Sequence, residues 1–237
     1  AELVKTAENS YRDVQIAFAN EVAMICEIVG GDVWKVRELV NKSPERSMHL
    51  PGAGVGGHCI PKDPWLLVHS VRNLSGGVED IIEPRLIPAA RAVNDLMPQH
   101  MLDLLEAALA EIGKVPKFAC VLVLGFSYLE DSDDIRNSPS AALVHALEIA
   151  GAEVRVHDPY IPKLRGDLYE MSRGCDALVL MVRHHQYIDL NLETLKSALR
   201  TPVLIDGRNL ISPEQAHRHG FVFRSVGRAP ETLGGNS

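Results

Sequence analysis

Pro116-Lys-Phe-Ala-Cys-Val-Leu-Val-Leu-Gly125 is the stretch that decides the fold class of this sequence. Its apolar run from Phe118 to Leu124 ends at a glycine and is typical of a buried strand. Ser138-Pro139 then indicates a helix N-cap followed by proline in the first helical position, and Gly151 indicates where that helix ends. A buried strand followed by a capped helix predicts the first unit of an α/β fold.

The same alternation continues to the C-terminus. Short apolar segments alternate with helical stretches around 167–173, 190–200 and 213–219, and the segments lie at 154–156, 177–182, 203–205 and 221–223. Strands that alternate with helices predict a parallel sheet covered on both faces. We therefore expect an α/β domain over residues 114–237.

The residues before Pro116 predict helices only. Apolar residues recur every three or four positions along 3–29 until Gly30-Gly31, and Asp32 suits the N-cap of a second helix. Two more helical patterns cover about 64–74 and about 84–112, without a strand pattern between them. We expect an all-helical domain over 1–113, whose last long helix leads into the α/β domain.

Composition excludes several classes of protein. The 237 residues carry a net charge of -7, which argues against a nucleic-acid partner. The longest apolar stretch, 118–126, is too short to cross a bilayer, and residues 1–20 lack a targeting pattern. Four widely spaced cysteines fit neither a zinc site nor a disulfide scaffold, so we expect a cytoplasmic protein without a metal.

The chain opens on Ala1 in a helical pattern, which predicts a fragment.

A glycine-rich segment, Gly52-Ala-Gly-Val-Gly-Gly57, matches the G-x-G-x-x-G fingerprint of dinucleotide binding. That motif works only between a strand and the start of a helix. Residues 46–51 are not an apolar strand, and Pro61 and Pro64 are incompatible with a regular helix start. We expect instead a loop whose backbone approaches a ligand closely. A flexible loop is the alternative, against which the flanking prolines argue.

Cys59 is the one cysteine outside a predicted core element. His58 and Lys62 give it a cationic setting, which would raise the thiolate fraction. An incidental loop cysteine remains the alternative. The other three cysteines are expected to be small buried hydrophobes, and they are Cys26, Cys120 and Cys175.

Polar residues at helical spacing also mark the first helix, where Lys5, Asn9, Arg12 and Asp13 form one stripe. A solvated face is the ordinary interpretation, but the spacing would also aim these groups at one ligand. Further polar residues follow the predicted strands, where α/β sheets bind ligands, although turns or caps account for them nearly as well. They are Asp131, Asp133, Asp134, Arg136, Asp158, Asp206, Arg208 and Asn209.

In this order, these segments resemble the NAD-dependent nucleotide-sugar 6-dehydrogenases over essentially the whole chain. The residues that carry the resemblance are Glu2-Leu-Val-Lys-Thr-Ala-Glu-Asn9, Phe18-Ala-Asn-Glu21, Pro51-Gly-Ala-Gly-Val-Gly-Gly-His-Cys-Ile-Pro-Lys-Asp-Pro64, Asn94-Asp-Leu-Met-Pro98, Gly125-Phe-Ser-Tyr128, Asp133-Asp-Ile-Arg-Asn-Ser-Pro139 and Asp206-Gly-Arg-Asn209. The run around Cys59 is the most specific. His58 and Pro64 within it resemble the branch that acts on UDP-N-acetylhexosamines, especially UDP-N-acetylmannosamine.

The resemblance implies a fold and an activity. Residues 1–113 would be the central, dimer-forming domain and 114–237 a Rossmann-like domain that binds the UDP-sugar, while the N-terminal NAD domain is absent. The reaction would be a four-electron oxidation of the sugar C6 alcohol to a carboxylate, with NAD as cofactor. Cys59 would hold a thiohemiacetal and then a thioester. The chain alone would be inactive, and its partners would be a UDP-sugar and a second copy of itself.

The resemblance also assigns residues. Lys5 and Asn9 would bind the reacting oxygen and a water, and Asp63 would help activate that water. The substrate-binding residues would be Arg12, Leu50, Gly52, Gly54, Gly56, Tyr128 and Arg208. Lys62 and Arg136 would contact NAD.

The chain departs from the acetylhexosamine branch at three positions. Ser43 and Glu45 stand where that branch has histidine and arginine, and Leu129 stands where it has lysine. Arg46 and His49 lie close enough to compensate. A non-catalytic, dimerising UDP-sugar-binding remnant and a dehydrogenase for another UDP-hexose therefore stay open as alternatives.

Overall fold

The helical part contains four helices among the described residues. The computed structural model describes residues 2–74 and 83–230, and it describes only the backbone of residues 72–74. Ala1 and Ser237, the outer limits of the two predicted domains, lie outside the described residues. The helices are α1 (Glu2–Val29), α2 (Val33–Val40), α3 (Asp63–Leu74) and α4 (Leu86–Glu111). Each agrees with a predicted helical pattern. None of the described helices is both long and apolar enough to cross a membrane.

The C-terminal half alternates strands and helices, as predicted. Its elements are β1 (Cys120–Leu124), α5 (Pro139–Ile149), β2 (Glu153–His157), α6 (Leu168–Ser172), β3 (Ala177–Leu180), α7 (Leu192–Ala198), β4 (Val203–Asp206), α8 (Pro213–Arg218) and β5 (Val222–Ser225). The five strands are all parallel, in the order β2-β1-β3-β4-β5. β2 lies on one side of β1 and β3 lies on the other, so the strand order reverses between β1 and β3. Open α/β sheets bind ligands at such a point.

Two predicted caps are present, and one predicted strand start is wrong. Asp32 accepts the amides of Trp34 and Lys35, and Ser138 accepts that of Ser140. Phe118, however, precedes the strand: it has a φ of 71° and is 81% exposed. Phe118 lies in a turn that is closed by a hydrogen bond from the Ala119 amide to the Pro116 carbonyl, so β1 begins two residues later than predicted.

The sheet has an apolar layer on each face. Alternate residues of β1 point to opposite faces, so that Val121 and Val123 pack into one cluster and Leu122 and Leu124 into the other. The first cluster also contains the buried face of α4, including Leu105, and residues of α1. The helical half therefore shares a core with the sheet and covers one of its faces.

Gly227 joins the two halves at a tight contact. It has a φ of +79°, and a Cβ there would lie 2.0 Å from Val33 Cγ1. Its amide donates to Glu27 Oε1 at 2.7 Å, and its carbonyl accepts from the Val33 amide at 2.8 Å. No side chain fits between these groups without moving α2.

We expect Gly227→Ala to cost more stability than an alanine at an open glycine of similar φ. A left-handed non-glycine residue costs about 1–2 kcal/mol, and overpacking adds about 1–3 kcal/mol. The control is Gly174→Ala. Gly174 has a similar φ of +72°, but no atom lies within 4 Å of the position that its Cβ would take. Urea unfolding measures both, and equal losses would contradict the role of this contact.

Candidate functional site

A cleft of about 500 Å³ opens where the loops after β1, β3 and β4 face α1, α2 and the glycine segment. It lies at the point where the strand order reverses. All seven predicted substrate-binding residues line it, namely Arg12, Leu50, Gly52, Gly54, Gly56, Tyr128 and Arg208. A wider groove of about 810 Å³ between α2 and α8 contains none of the predicted site residues.

The cleft is strongly cationic. Its lining includes four arginines and one histidine but a single carboxylate, Glu130, and the basic residues are Arg12, Arg37, His49, Arg183 and Arg208. Neither Arg12 nor Arg183 forms an ion pair with another described residue. Burial, together with Arg12 and Arg37, lowers the pKa of His49, so this residue is neutral at pH 7. The charges suit an anionic ligand.

Arg208 is held against the glycine segment. Its Nε donates to the Met181 carbonyl at 2.6 Å, and its backbone amide donates to Asp206 Oδ1 at 2.8 Å. A Cβ on Gly52 would lie only 2.6 Å from Arg208 Nη1. The missing side chain at position 52 is therefore required for the guanidinium to reach the cleft.

Gly56 and Gly57 pack against the loop after β1. A Cβ on Gly56 would lie 2.6 Å from the Asn137 carbonyl oxygen, and one on Gly57 would lie 2.7 Å from the Tyr128 ring. The Gly57 amide donates to the Arg136 carbonyl at 2.9 Å, and Asn137 Nδ2 donates to the Gly57 carbonyl at 2.9 Å. These bonds hold the segment in place. A dinucleotide site would require a strand directly before the segment and a regular helix directly after it, and neither is present at these described residues.

Cys59 lies in the turn just before α3 and is exposed. Its carbonyl accepts the amides of Lys62 and Asp63, and Lys62 Nζ lies 3.4 Å from His58 Nε2. Cys59 therefore lies next to the first turn of α3, in the same loop as His58 and Lys62.

The other cysteines are buried, as predicted. Burial raises the pKa of Cys120 to about 12 and also raises the pKa values of Cys26 and Cys175. These three thiols stay protonated near neutral pH.

The polar stripe of α1 divides into separate environments. Asn9 Nδ2 donates to Asp63 Oδ2 at 2.6 Å, and both groups are buried beside the Cys59 turn. Lys5 Nζ instead pairs with Glu8 Oε2 at 3.1 Å in solvent. Asp13 points into the interior, where it pairs with Arg91 at 2.6 Å. The solvated-face interpretation is thus wrong for Asn9 and Asp13, because α3 and α4 pack over them.

The aspartates that follow the strands mainly hold loops. Asp206 accepts three amides of its own turn. Burial raises the pKa of Asp158, but hydrogen bonds from His184 and from the Phe126, Ser127 and Tyr160 amides outweigh burial and hold this pKa well below its ordinary value. His184 Nδ1 also accepts the Asp131 amide at 3.0 Å. Asp158 and His184 therefore fix the loop that carries Tyr128.

Arg136 is exposed and engaged in a fork with Asp134, through Nε at 3.0 Å and Nη2 at 2.6 Å. This pair lowers the pKa of Asp134 and raises that of Arg136. A ligand would reach Arg136 only by competing with that carboxylate.

Sequence reasoning missed two basic residues of the cleft, Arg37 and Arg183, and misjudged Arg46. Arg183 follows β3, so its position at a strand end was a signal of the same kind as that of Arg208 after β4. Arg37 gave no local signal, because it reaches the cleft only through the packing of α2, where its Nε donates to the Met48 carbonyl at 3.0 Å. Of the two residues expected to compensate for the departures, His49 lines the cleft and Arg46 does not. Leu129 lines it as well.

Comparison with known proteins agrees with this geometry. Residues 1–96 match the central domain, and residues 122–213 the UDP binding domain, of the UDP-glucose/GDP-mannose dehydrogenase family. UDP-N-acetyl-D-mannosamine dehydrogenase from Pyrococcus horikoshii is 40% identical over 228 residues, which are 96% of this chain and 52% of that protein. NDP-N-acetyl-D-galactosaminuronic acid dehydrogenase from Ralstonia nicotianae is 36% identical and covers 91% of this chain and 49% of its own length.

Solved structures extend the comparison. The UDP-D-ManNAc dehydrogenase structure from Pyrococcus horikoshii matches 97% of this chain and 52% of its own chain, with a TM-score of 0.86. NDP-N-acetyl-D-galactosaminuronic acid dehydrogenase from Methanosarcina mazei matches 98% of this chain and 52% of its own, with a TM-score of 0.90 and 38% identity. The chain thus spans about half the length of these relatives. It belongs to the UDP-glucose/GDP-mannose dehydrogenase family.

Proposed function

We propose that this chain forms the sugar-binding half of a dehydrogenase that oxidises C6 of a UDP-N-acetylhexosamine, with UDP-N-acetylmannosamine as first candidate. The observation that carries the proposal is a shared segment: Gly52, Gly54, Val55 and Gly56 line the cationic cleft, and Cys59 follows in the same bonded loop. An anionic diphosphate in the cleft would thus place its sugar toward Cys59. The names of the relatives support this substrate class.

Cys59 supplies the covalent step of this proposal. Once C6 has lost a first hydride and its hydroxyl group a proton, the Cys59 thiolate adds to the resulting aldehyde. This addition forms an S–C6 bond, and the carbonyl oxygen takes up a proton. Loss of a hydride from C6 and of that proton gives a thioester, which water cleaves to release the carboxylate and the thiolate. Splitting the oxidation in this way keeps the aldehyde bound.

Neighbouring residues would hold the reacting oxygen and the water. Asp63 is within hydrogen-bond reach of Asn9 and would accept a proton from the attacking water. Asn9 would stabilise the oxyanion. Lys5 would join them only after it leaves Glu8, since the two are paired in solvent.

NAD accepts the two hydrides when it is bound, and the described residues fit only its edge. The glycine segment cannot cradle a pyrophosphate, because the chain's own groups occupy the space above Gly52, Gly56 and Gly57. Arg136 and Lys62 are exposed cations next to the Cys59 loop and would contact the cofactor from this side. The remainder of the NAD site would belong to a domain outside this chain.

We expect the 237-residue chain to bind UDP, but neither to bind NAD in the low micromolar range nor to form NADH. A charge-assisted hydrogen bond contributes about 1.5–3 kcal/mol, so Arg183→Ala should weaken UDP binding about tenfold or more. Calorimetric titration of both ligands measures this.

Arg218→Ala on α8 is the matched control, because Arg218 is also exposed but lies outside the cleft. It should bind UDP as the parent chain does. Absence of UDP binding, or micromolar NAD binding, would contradict the proposal. Competition among UDP-N-acetylmannosamine and other UDP-hexoses then separates the alternative substrates.

The proposal includes division of the chain into domains at 1–113 and 114–237, a cytoplasmic location and a homodimer. An apolar row on α1 supports the dimer: Tyr11, Phe18 and Ile25 repeat every seven residues and are 51–65% exposed. A row of this kind is typical of a surface that packs against another chain.

We expect light scattering to give twice the chain mass of 26.0 kDa, and Phe18→Asp to reduce it to the single mass. Ile149→Asp is the control, since Ile149 is 74% exposed on α5, away from the α1 row. A parent chain that is monomeric at micromolar concentration would refute the dimer.

A further inference from the structure

A buried chain of hydrogen bonds runs from α4 through α1 to the glycine segment. Arg91 Nη1 donates to Asp13 Oδ1 at 2.6 Å, and Asn94 Nδ2 donates to the same oxygen at 2.7 Å. Asn20 Nδ2 donates to Asn94 Oδ1 at 2.9 Å. The Gly52 amide donates to Asn20 Oδ1 at 2.9 Å. The four side chains of this hydrogen-bond network are all buried.

The negative charge of Asp13 fixes which group donates and which accepts in every hydrogen bond of this network. A carboxylate only accepts hydrogen bonds, so Asp13 requires Asn94 to present its NH₂ group and leaves the Asn94 oxygen facing Asn20. Asn20 must then present its NH₂ group to Asn94, which leaves its own oxygen for the Gly52 amide. A reversed amide at either asparagine would set two donors or two acceptors against each other. The network therefore presents an acceptor, and never a donor, to Gly52.

Gly52 also packs closely against Arg208. A built Cβ at Gly52 meets Arg208 Nη1 at 2.6 Å and the Gly207 carbonyl oxygen at 3.2 Å. A shift of the Gly52 backbone would therefore push on the guanidinium in the cleft. Asn20, which bonds the Gly52 amide, lines the same cleft as Arg208, whereas Asn94 does not line it.

We propose that Asn20 and Asn94 are positioning residues, which hold the Gly52 amide and thereby set the distance between the glycine segment and Arg208. The nature of the ligand rests on the proposed function, whereas the positioning of Gly52 does not. Asn94 touches neither Gly52 nor the cleft, and it would act only through the orientation of the Asn20 amide.

The test compares Asn94→Ala with Leu105→Ala in the 237-residue chain. Leu105 is fully buried on the same helix but packs in the apolar core, so its loss destabilises the fold without touching the network. Two quantities are measured in each variant. One is UDP affinity by calorimetry, and the other is NMR amide exchange at Gly52 relative to Val123 in β1, which reports global opening.

In Asn94→Ala, we expect Gly52 exchange to accelerate at least tenfold relative to Val123 and UDP affinity to fall at least fivefold. In Leu105→Ala, exchange should accelerate equally at both amides, with UDP affinity within twofold of the parent. Gly52 exchange that follows Val123 in Asn94→Ala would overturn the inference. Unchanged UDP affinity with faster Gly52 exchange would also overturn it, because the network would then only support the fold. If the parent chain binds no UDP, the proposed function fails. Amide exchange at Gly52 then tests the positioning role of Asn20 and Asn94 by itself.

Discussion

Replacement of Cys59 by serine is expected to lower turnover of a UDP-N-acetylhexosamine by about a thousandfold or more, in an enzyme that joins this chain to a nicotinamide-binding domain. Loss of a covalent nucleophile typically removes three or more orders of magnitude. Cys59 is the exposed cysteine of the four and lies in the loop that borders the cleft. A serine hydroxyl at neutral pH remains protonated and adds poorly to an aldehyde. NADH formation with UDP-N-acetylmannosamine measures the effect.

The control for this experiment is Cys26→Ala. Cys26 is buried in the core that α1 shares with the sheet, so its replacement should lower stability and leave turnover near that of the parent. Turnover of Cys59→Ser within tenfold of the parent would refute the nucleophile. A parent enzyme without activity on any UDP-hexose, but with UDP affinity, would favour the non-catalytic remnant.

Arg91→Leu is expected to destabilise the chain by about 3–5 kcal/mol, since removal of one partner leaves a buried charge without compensation. Both side chains of the Arg91–Asp13 pair are only 1% exposed. Asp95, the second partner of Arg91, is 60% exposed and is hydrated without it. Addition of Asp13→Asn removes the stranded charge and keeps an acceptor for Asn94, so the double variant should recover more than half of the loss. Urea unfolding of both variants measures this.

The loss in Arg91→Leu should also depend on pH. Burial already raises the pKa of Asp13 in the parent, although Arg91 and Asn94 partly offset it. Without Arg91 this pKa rises further above that of the unfolded chain, so folding takes up a proton and stability falls as pH increases. The loss is therefore expected to be smaller at pH 5 than at pH 8. A loss independent of pH, with no recovery in the double variant, would show that Arg91 acts through packing alone.

The order of helices and strands was predictable because its signals are local. Apolar periodicity along α1 and the caps at Asp32 and Ser138 act within a few residues. The start of β1 was misplaced for the same reason. Phe118 continues the apolar run, but it lies in the turn from Pro116 to Ala119, and its amide donates to the Gly151 carbonyl, 33 residues away in the chain.

The candidate site was predictable in part. The glycine segment and Cys59 stood out because glycines contribute no side chain to a core, and because Cys59 lies outside every apolar periodic segment. The partners of the polar stripe did not stand out. Helical spacing groups Lys5, Asn9 and Asp13 on one helix, but it does not say which of them another helix will cover.

By itself, therefore, the sequence determined the α/β class, the helical half, the buried cysteines and the exposed Cys59, since each follows from periodicity, capping or composition within one element. Only the tertiary structure decided that Asn9 meets Asp63, 54 residues away, and that Asp13 meets Arg91, 78 residues away. It also brought Arg37 and Arg183 to one cleft. Burial of a polar group depends on what packs over it, and that contact comes from distant parts of the chain.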